Sequence, residues 1–193
     1  MKKLIAMLLA LTCVFGLVAC GGNATNNNET PETTVEVIKP ASALEVLEKT
    51  WAAVAEDNKF YTMGGDFENI VDNAPGAYNL KDEGISSMLL IPAEQLANVD
   101  EAASLVHGMM ANNFTFGAYH VTGDVAAFVE AMHTAIAGNR WMCGMPEKMI
   151  IAVVGGEYVI AGFGINDAVA PFEAAFTATY PDAEMKYNEA ITG

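Results

Sequence analysis

Trp141-Met142-Cys143-Gly144-Met145-Pro146 is the stretch of this chain closest to a reactive motif, a thiol set among soft sulfur side chains after a helical pattern. A dithiol redox centre needs a second cysteine three residues on. Position 146 is proline, so a dithiol mechanism is excluded. A lone nucleophile at Cys143 needs a base beside it, and His107, His120 and His133 are the only histidines that could serve. The competing reading of the segment is packing, with Trp141, Met142 and Met145 closing the end of a core.

The histidines are not spaced for a metal. None lies in His-Glu-x-x-His, and no Cys or His pair is three or four residues apart. A soft copper site would have to gather His107, Met109, Met110 and His133. Core filler is the simpler role for the eleven methionines. His120 falls on the same alternating face as Phe114, Phe116 and Ala118, as a partly buried, satisfied histidine would. The acids come as scattered pairs, Asp66 with Glu68, Asp82-Glu83, Asp100-Glu101 and Asp182 with Glu184, and none fits a twelve-residue calcium loop. Weak divalent-cation binding by the acidic surface stays open as an alternative. Gly162-Phe163-Gly164 lacks the further glycine and lysine of a phosphate loop, and Gly-x-Ser-x-Gly is absent. The motifs name no catalytic residue, no cofactor and no metal ligand.

The elements that would position these residues follow from periodicity and punctuation. Ser42-Ala43-Leu44-Glu45 reads as a capping box opening a helix with Leu44, Leu47, Trp51 and Val54 on its buried stripe. Gly64-Gly65-Asp66 predicts the cap of a short helix reaching Val71, and Asn73-Ala74-Pro75-Gly76 a turn. Ser86 to Ile91 reads as a buried strand stopped by Pro92, with a short helical turn to Leu96. Asp100 predicts the cap of a helix carrying Ala103, Val106, Met109 and Met110. Phe114 to Val121 reads as a strand. Gly123-Asp124 then starts a helix with Val125, Phe128, Val129, Met132 and Ile136 on one face. Met149–Val154 and Tyr158–Phe163 flank Gly155-Gly156 as a hairpin. Asp167 predicts a helix with Val169, Phe172, Ala175 and Phe176, and Glu184 to Ile191 a last strand. The order over residues 113–191 is strand, helix, strand, strand, helix, strand, the split β-α-β pattern of ferredoxin-like folds. The expected fold is therefore α+β, an antiparallel sheet with helices packed on one face.

The N-terminus supplies a different chemistry. Lys2 and Lys3 precede the apolar run Leu4 to Val18, and Leu17-Val18-Ala19-Cys20 ends it. The run is shorter than the roughly twenty residues that span a bilayer. It resembles a bacterial lipoprotein signal, in which residues 1–19 are removed and Cys20 carries a diacylglycerol. Two acyl chains hold a protein on a membrane durably where one does not. Removal takes two lysines and no acid, so the remaining chain is more acidic than the −15 of the whole. Such a surface repels nucleic acid and anionic headgroups. Cys13 leaves with the signal and Cys20 is lipidated, so Cys143 has no intramolecular partner. Residues 20–40, rich in Asn, Thr, Glu and Gly, read as a disordered tether, and 41–193 as one domain.

Signal, tether, first helix and the segments Gly156-Glu157-Tyr158-Val159 and Asp167 to Phe176 together resemble uncharacterised Gram-positive lipoproteins built around a domain of unknown function. That resemblance implies a location and no activity. The expectation is a lipid-anchored protein on the extracytoplasmic face of the cell membrane. Its domain is expected to be a non-catalytic binding or interaction module, with an envelope thiol or redox protein using Cys143 as the alternative.

Overall fold

The structure, a computed structural model, describes residues 38–192. The signal segment 1–19, the lipidation candidate Cys20 and the tether up to residue 37 lie outside the described residues. In chain order the elements are α1 (Ala43–Ala53), β1 (Thr62–Gly64), β2 (Val71–Asp72), β3 (Gly76–Tyr78), α2 (Ile85–Met88), β4 (Val99–His107) and β5 (Phe114–Val121). They continue with α3 (Val125–Ala137), β6 (Lys148–Val154), β7 (Tyr158–Gly164), α4 (Asn166–Thr179) and β8 (Glu184–Ala190). Eight strands form one sheet in the order β2-β1-β4-β5-β7-β6-β8, and β3 pairs with β4 farther along the edge that β1 uses. Every pairing is antiparallel. The α+β class and the antiparallel sheet are those expected from the sequence.

The layering differs from the expectation. One core cluster joins α1 and α4 to Leu105, Phe114, Phe116, Ile150 and Ile160. A second joins α3 to Tyr119, Val121, Ile151, Val153 and Val159. Neighbouring residues of one strand point to opposite faces, so helices cover both sides of the sheet rather than one. The topology explains this. β5 and β6 are parallel strands with β7 between them, and β7 and β8 are parallel strands with β6 between them. In the ferredoxin-like pattern the last strand returns beside the first, but here β4 already holds that edge of β5. β8 is displaced to the far edge. Two right-handed crossovers in the same lateral direction, leaving strands that run oppositely, put their helices on opposite faces.

Local chemistry accounts for how these elements begin and end. Ser42 caps α1, its hydroxyl accepting from the Glu45 N–H at 3.1 Å, while the Glu45 carboxylate accepts from the Ala41 N–H and pairs with Lys49. Asp124 caps α3 through the Ala127 N–H at 3.0 Å. Asp167 does not cap α4. Glu147 accepts from the Asn166 N–H at 2.7 Å instead, and Asp167 sits in the first turn. Gly155 and Gly156 take φ of 60° and 81° in the β6–β7 link, which is three residues long and includes Glu157.

Three further expectations are corrected. Val99–His107 is a central strand, not a helix begun by Asp100, and Ala102 through Val106 are buried on both faces. A strand covered on both sides has no alternation, so its apolar positions also fit a helical stripe. Ser86–Ile91 is not a strand. It is the end of α2 and a loop with Leu90 at φ 54°, apolar because Leu89 and Ile91 close the α3-side core. Gly64-Gly65-Asp66 starts no helix but turns β1 into β2, and the buried Asp66 carboxylate ties that loop together. It accepts from the N–H groups of Glu68, Asn69 and Asn79 and from Asn69 Nδ2. Burial works to raise its pKa, but these donors outweigh it and hold the carboxyl below its usual range.

Candidate functional site: an aromatic cleft

The three histidines are placed apart and already engaged. His120 is on β5, facing the α1 side with its side chain 22% exposed. Its Nδ1 meets Asp100, its Nε2 lies 3.4 Å from Glu157, and its ring packs 4.8 Å from Tyr158. The hydrogen bond to Asp100 raises its pKa against the opposing effect of burial, and the charges of Asp100, Glu157 and Glu101 add to it. With a carboxylate beside each ring nitrogen, His120 has no free position from which to act as a base. His133 on α3 meets Glu189 at 2.7 Å and stacks on Tyr187 at 3.8 Å. His107 ends β4, and its Nδ1 accepts from the N–H groups of Met109 (3.1 Å) and Met110 (3.3 Å). That fixes the proton of a neutral ring on Nε2 and leaves no nitrogen lone pair for a metal.

The soft-metal grouping of His107, Met109, Met110 and His133 is not assembled, because His107 lies on the α1 side of the sheet and His133 on the α3 side. Among the described residues no three His, Cys, Asp or Glu side chains are grouped to hold a metal ion. Cys143 is exposed, at φ 63°, in a loop pinned by Asn112, whose side-chain amide donates to the carbonyls of Met142 and Gly144 at 2.7 Å each. No hydrogen bond joins it to a histidine among the described residues. The packing expected of its neighbours holds only for Trp141, which rests on Phe163. Met142 is 78% exposed and Met109 80%, and Met110 and Met145 are exposed as well, so only some of the methionines fill the core. Members of the acid pairs make structural contacts. Asp82 accepts from the Gly84 N–H, Glu101 from the Ala43 N–H, and Glu184 pairs with Lys186.

The arrangement that could take a ligand lies elsewhere. An open cleft of about 710 Å³ lies beside the C-terminal half of α1, which ends at Ala53, and the segment that follows it. Ligand cavities run from roughly 300 to 1,000 Å³. Trp51, Phe60 and Tyr61 form its aromatic surface, Asn73 to Pro75 its far wall, and Glu48, Glu56 and Lys59 its charged rim. The aromatic surface is held from behind. Phe60 meets Trp51 edge-on at 5.5 Å and Phe114 at 5.2 Å, and stacks on His107 at 5.0 Å. The Trp51 indole N–H donates to the Asn73 carbonyl at 3.3 Å, which spans the cleft's two walls. Tyr61 donates to Asp72 at 3.0 Å, and that bond raises its pKa. The Lys59 ammonium pairs with Glu56 at 2.6 Å and lies 5.9 Å from the centre of the Trp51 ring.

No catalytic motif marks Lys59, Phe60 and Tyr61 in the sequence. The signal was an aromatic pair between the end of a helix and Gly64-Gly65, in a segment too short to bury both rings. Smaller cavities lie between α3 and β8, about 430 Å³ beside Tyr187, and under Phe67 and Ile70, about 50 Å³. Comparison of the chain with protein-family models, curated proteins and solved structures found no match.

Proposed function

We propose that this chain is anchored by a lipid on Cys20 at the extracytoplasmic face of the cell membrane, and that its domain is a non-catalytic binding module that takes its ligand in the aromatic cleft. The anchor rests on Leu17-Val18-Ala19-Cys20 after a short apolar run, as in the Gram-positive lipoproteins the chain resembles. The binding role rests on one observation above the others. The cleft joins aromatic surface to a few charged groups, which is the composition of small-molecule sites. The non-catalytic reading is supported by the engagement of His120 and His133 with carboxylates and of His107 Nδ1 with two backbone donors. The acidic composition disfavours nucleic acid as a partner.

Two measurements test the two halves. Mass spectrometry of the membrane fraction of a bacterial host should find Cys20 as a diacylglycerol-bearing N-terminus, and Cys20→Ala should release the protein from membranes. Recovery of unmodified Cys20 on membranes overturns the anchor. For the cleft, amide shifts of the full chain are followed against a set of small aromatic, cationic and sugar-like fragments. Changes gathered at Trp51, Phe60, Tyr61 and Asn73 support the reading. A set that binds only elsewhere, or nowhere, refutes it.

A further inference from the structure

We infer that the cleft's ligand carries an organic ammonium group, and that Lys59 is the resident cation this group displaces. The inference rests on the cleft being the ligand site and adds the class of ligand. A protein ammonium already occupies the position over Trp51, so the chain itself displays what the site accommodates. The indole face attracts a cation within about 6 Å of its centre. Glu56 supplies a carboxylate at 2.6 Å from that ammonium, and Glu48 lines the same cleft. Among the described residues Lys59 is the sole basic one lining the cleft, and the chain as a whole carries −15. An anion would meet Glu48 and Glu56 against that field, whereas a cation is drawn toward it.

The position is also easy to vacate. The ammonium's partner, Glu56, is an exposed carboxylate three residues away, and exposed pairs of this kind contribute little. The Lys59 stem is flexible enough to swing its head into water when another cation arrives. Trp51 is different. It is 6% exposed, held by Phe60 and by its hydrogen bond to Asn73, and stays in place as a fixed face. A methylated ammonium suits it better than Lys59 does, because its smaller hydration cost leaves more of the ring attraction.

The test uses the full chain carrying Trp141→Phe, so that Trp51 is the sole tryptophan. Its emission is titrated at constant ionic strength with choline and with 3,3-dimethyl-1-butanol, the uncharged compound of the same shape. Choline should change the emission saturably and the alcohol should not. Lys59→Met, which keeps the stem and removes the competitor, should tighten choline by about two- to fivefold, and Glu56→Gln should weaken it by a similar factor. Equal responses to choline and the alcohol overturn the cation assignment. So does the absence of any choline response when the fragment set still perturbs the cleft, and in both cases the cleft remains the site. Silence from choline and from the fragments together removes both readings.

Discussion

Phe60→Ala tests whether the cleft is a built surface or a gap between loops. Phe60 is half-buried, yet it joins three rings: Trp51 at 5.5 Å, Phe114 at 5.2 Å and His107 at 5.0 Å. Truncating a fully buried Phe costs about 3–5 kcal/mol, and half-burial reduces that to about 2 kcal/mol. The two edge-on aromatic pairs add about 0.5–1.5 kcal/mol each, partly recovered as neighbours relax, so the expected loss is about 2–3 kcal/mol. For a domain of this size each kcal/mol moves the melting temperature by about 2–4 °C, so a fall of about 5–10 °C is expected. Urea unfolding followed by tryptophan emission gives the free energy directly, with a lower midpoint at unchanged slope. Phe67→Ala is the internal control. Phe67 is 61% exposed, and its removal should change stability by no more than about 0.5 kcal/mol. A Phe60→Ala cost below about 1 kcal/mol, or equal to that of Phe67→Ala, would refute the account of Phe60 as the ring on which the cleft is supported.

Two further outcomes follow from the candidate groups. His120 has a raised pKa in the fold, so its ion pairs contribute fully below the unfolded value of about 6.5 and are lost as pH rises through the folded value. The stability difference between the parent and His120→Gln should therefore be larger below the unfolded value and shrink as pH rises through the folded one; a difference independent of pH, or an NMR titration midpoint at or below the free-histidine value, contradicts the Asp100–His120–Glu157 geometry. Cys143 is exposed, so iodoacetamide should label it in the native chain at close to its rate in urea, with Cys143→Ser as the blank, and a requirement for denaturant overturns its placement.

Much of the second half of the fold was legible because its elements are amphipathic in the simple way. α3 has a capping Asp124 and one apolar face, and β6 and β7 are β-rich runs around a Gly-Gly link that needs positive φ. The first half was not, for a physical reason particular to each segment. β4 is buried on both faces, which erases the period of two. Leu89 and Ile91 are apolar through packing on a core face without pairing in the sheet. Asp66 tied a loop with the same donor-satisfying chemistry that a helix cap uses, so its type could not distinguish the two. The cleft was hidden more deeply. Its walls come from 48–61 and 73–75, and Trp51 was read as core, as it is on the side that meets Phe114.

The topology also dictates where a site could be. With α1 and α4 on one face and α3 on the other, helices pack on both broad surfaces of the sheet among the described residues, and the cleft lies beside α1 rather than on an open sheet face. Residues 39–40 join the fold at the end marked by Glu157 and His120, where Lys39 pairs with Glu157 at 2.8 Å. α1 starts there, its Ala43 N–H donating to Glu101, and it carries the chain about 12 Å along its axis from Ala43 to Trp51. The helix therefore separates the end where the chain joins the domain from the end that holds the cleft. The stop at Val54, whose ψ of 129° leaves the helical region, releases the segment that brings Glu56, Lys59, Phe60 and Tyr61 to the cleft beside Glu48, Trp51 and Ala52 of the helix.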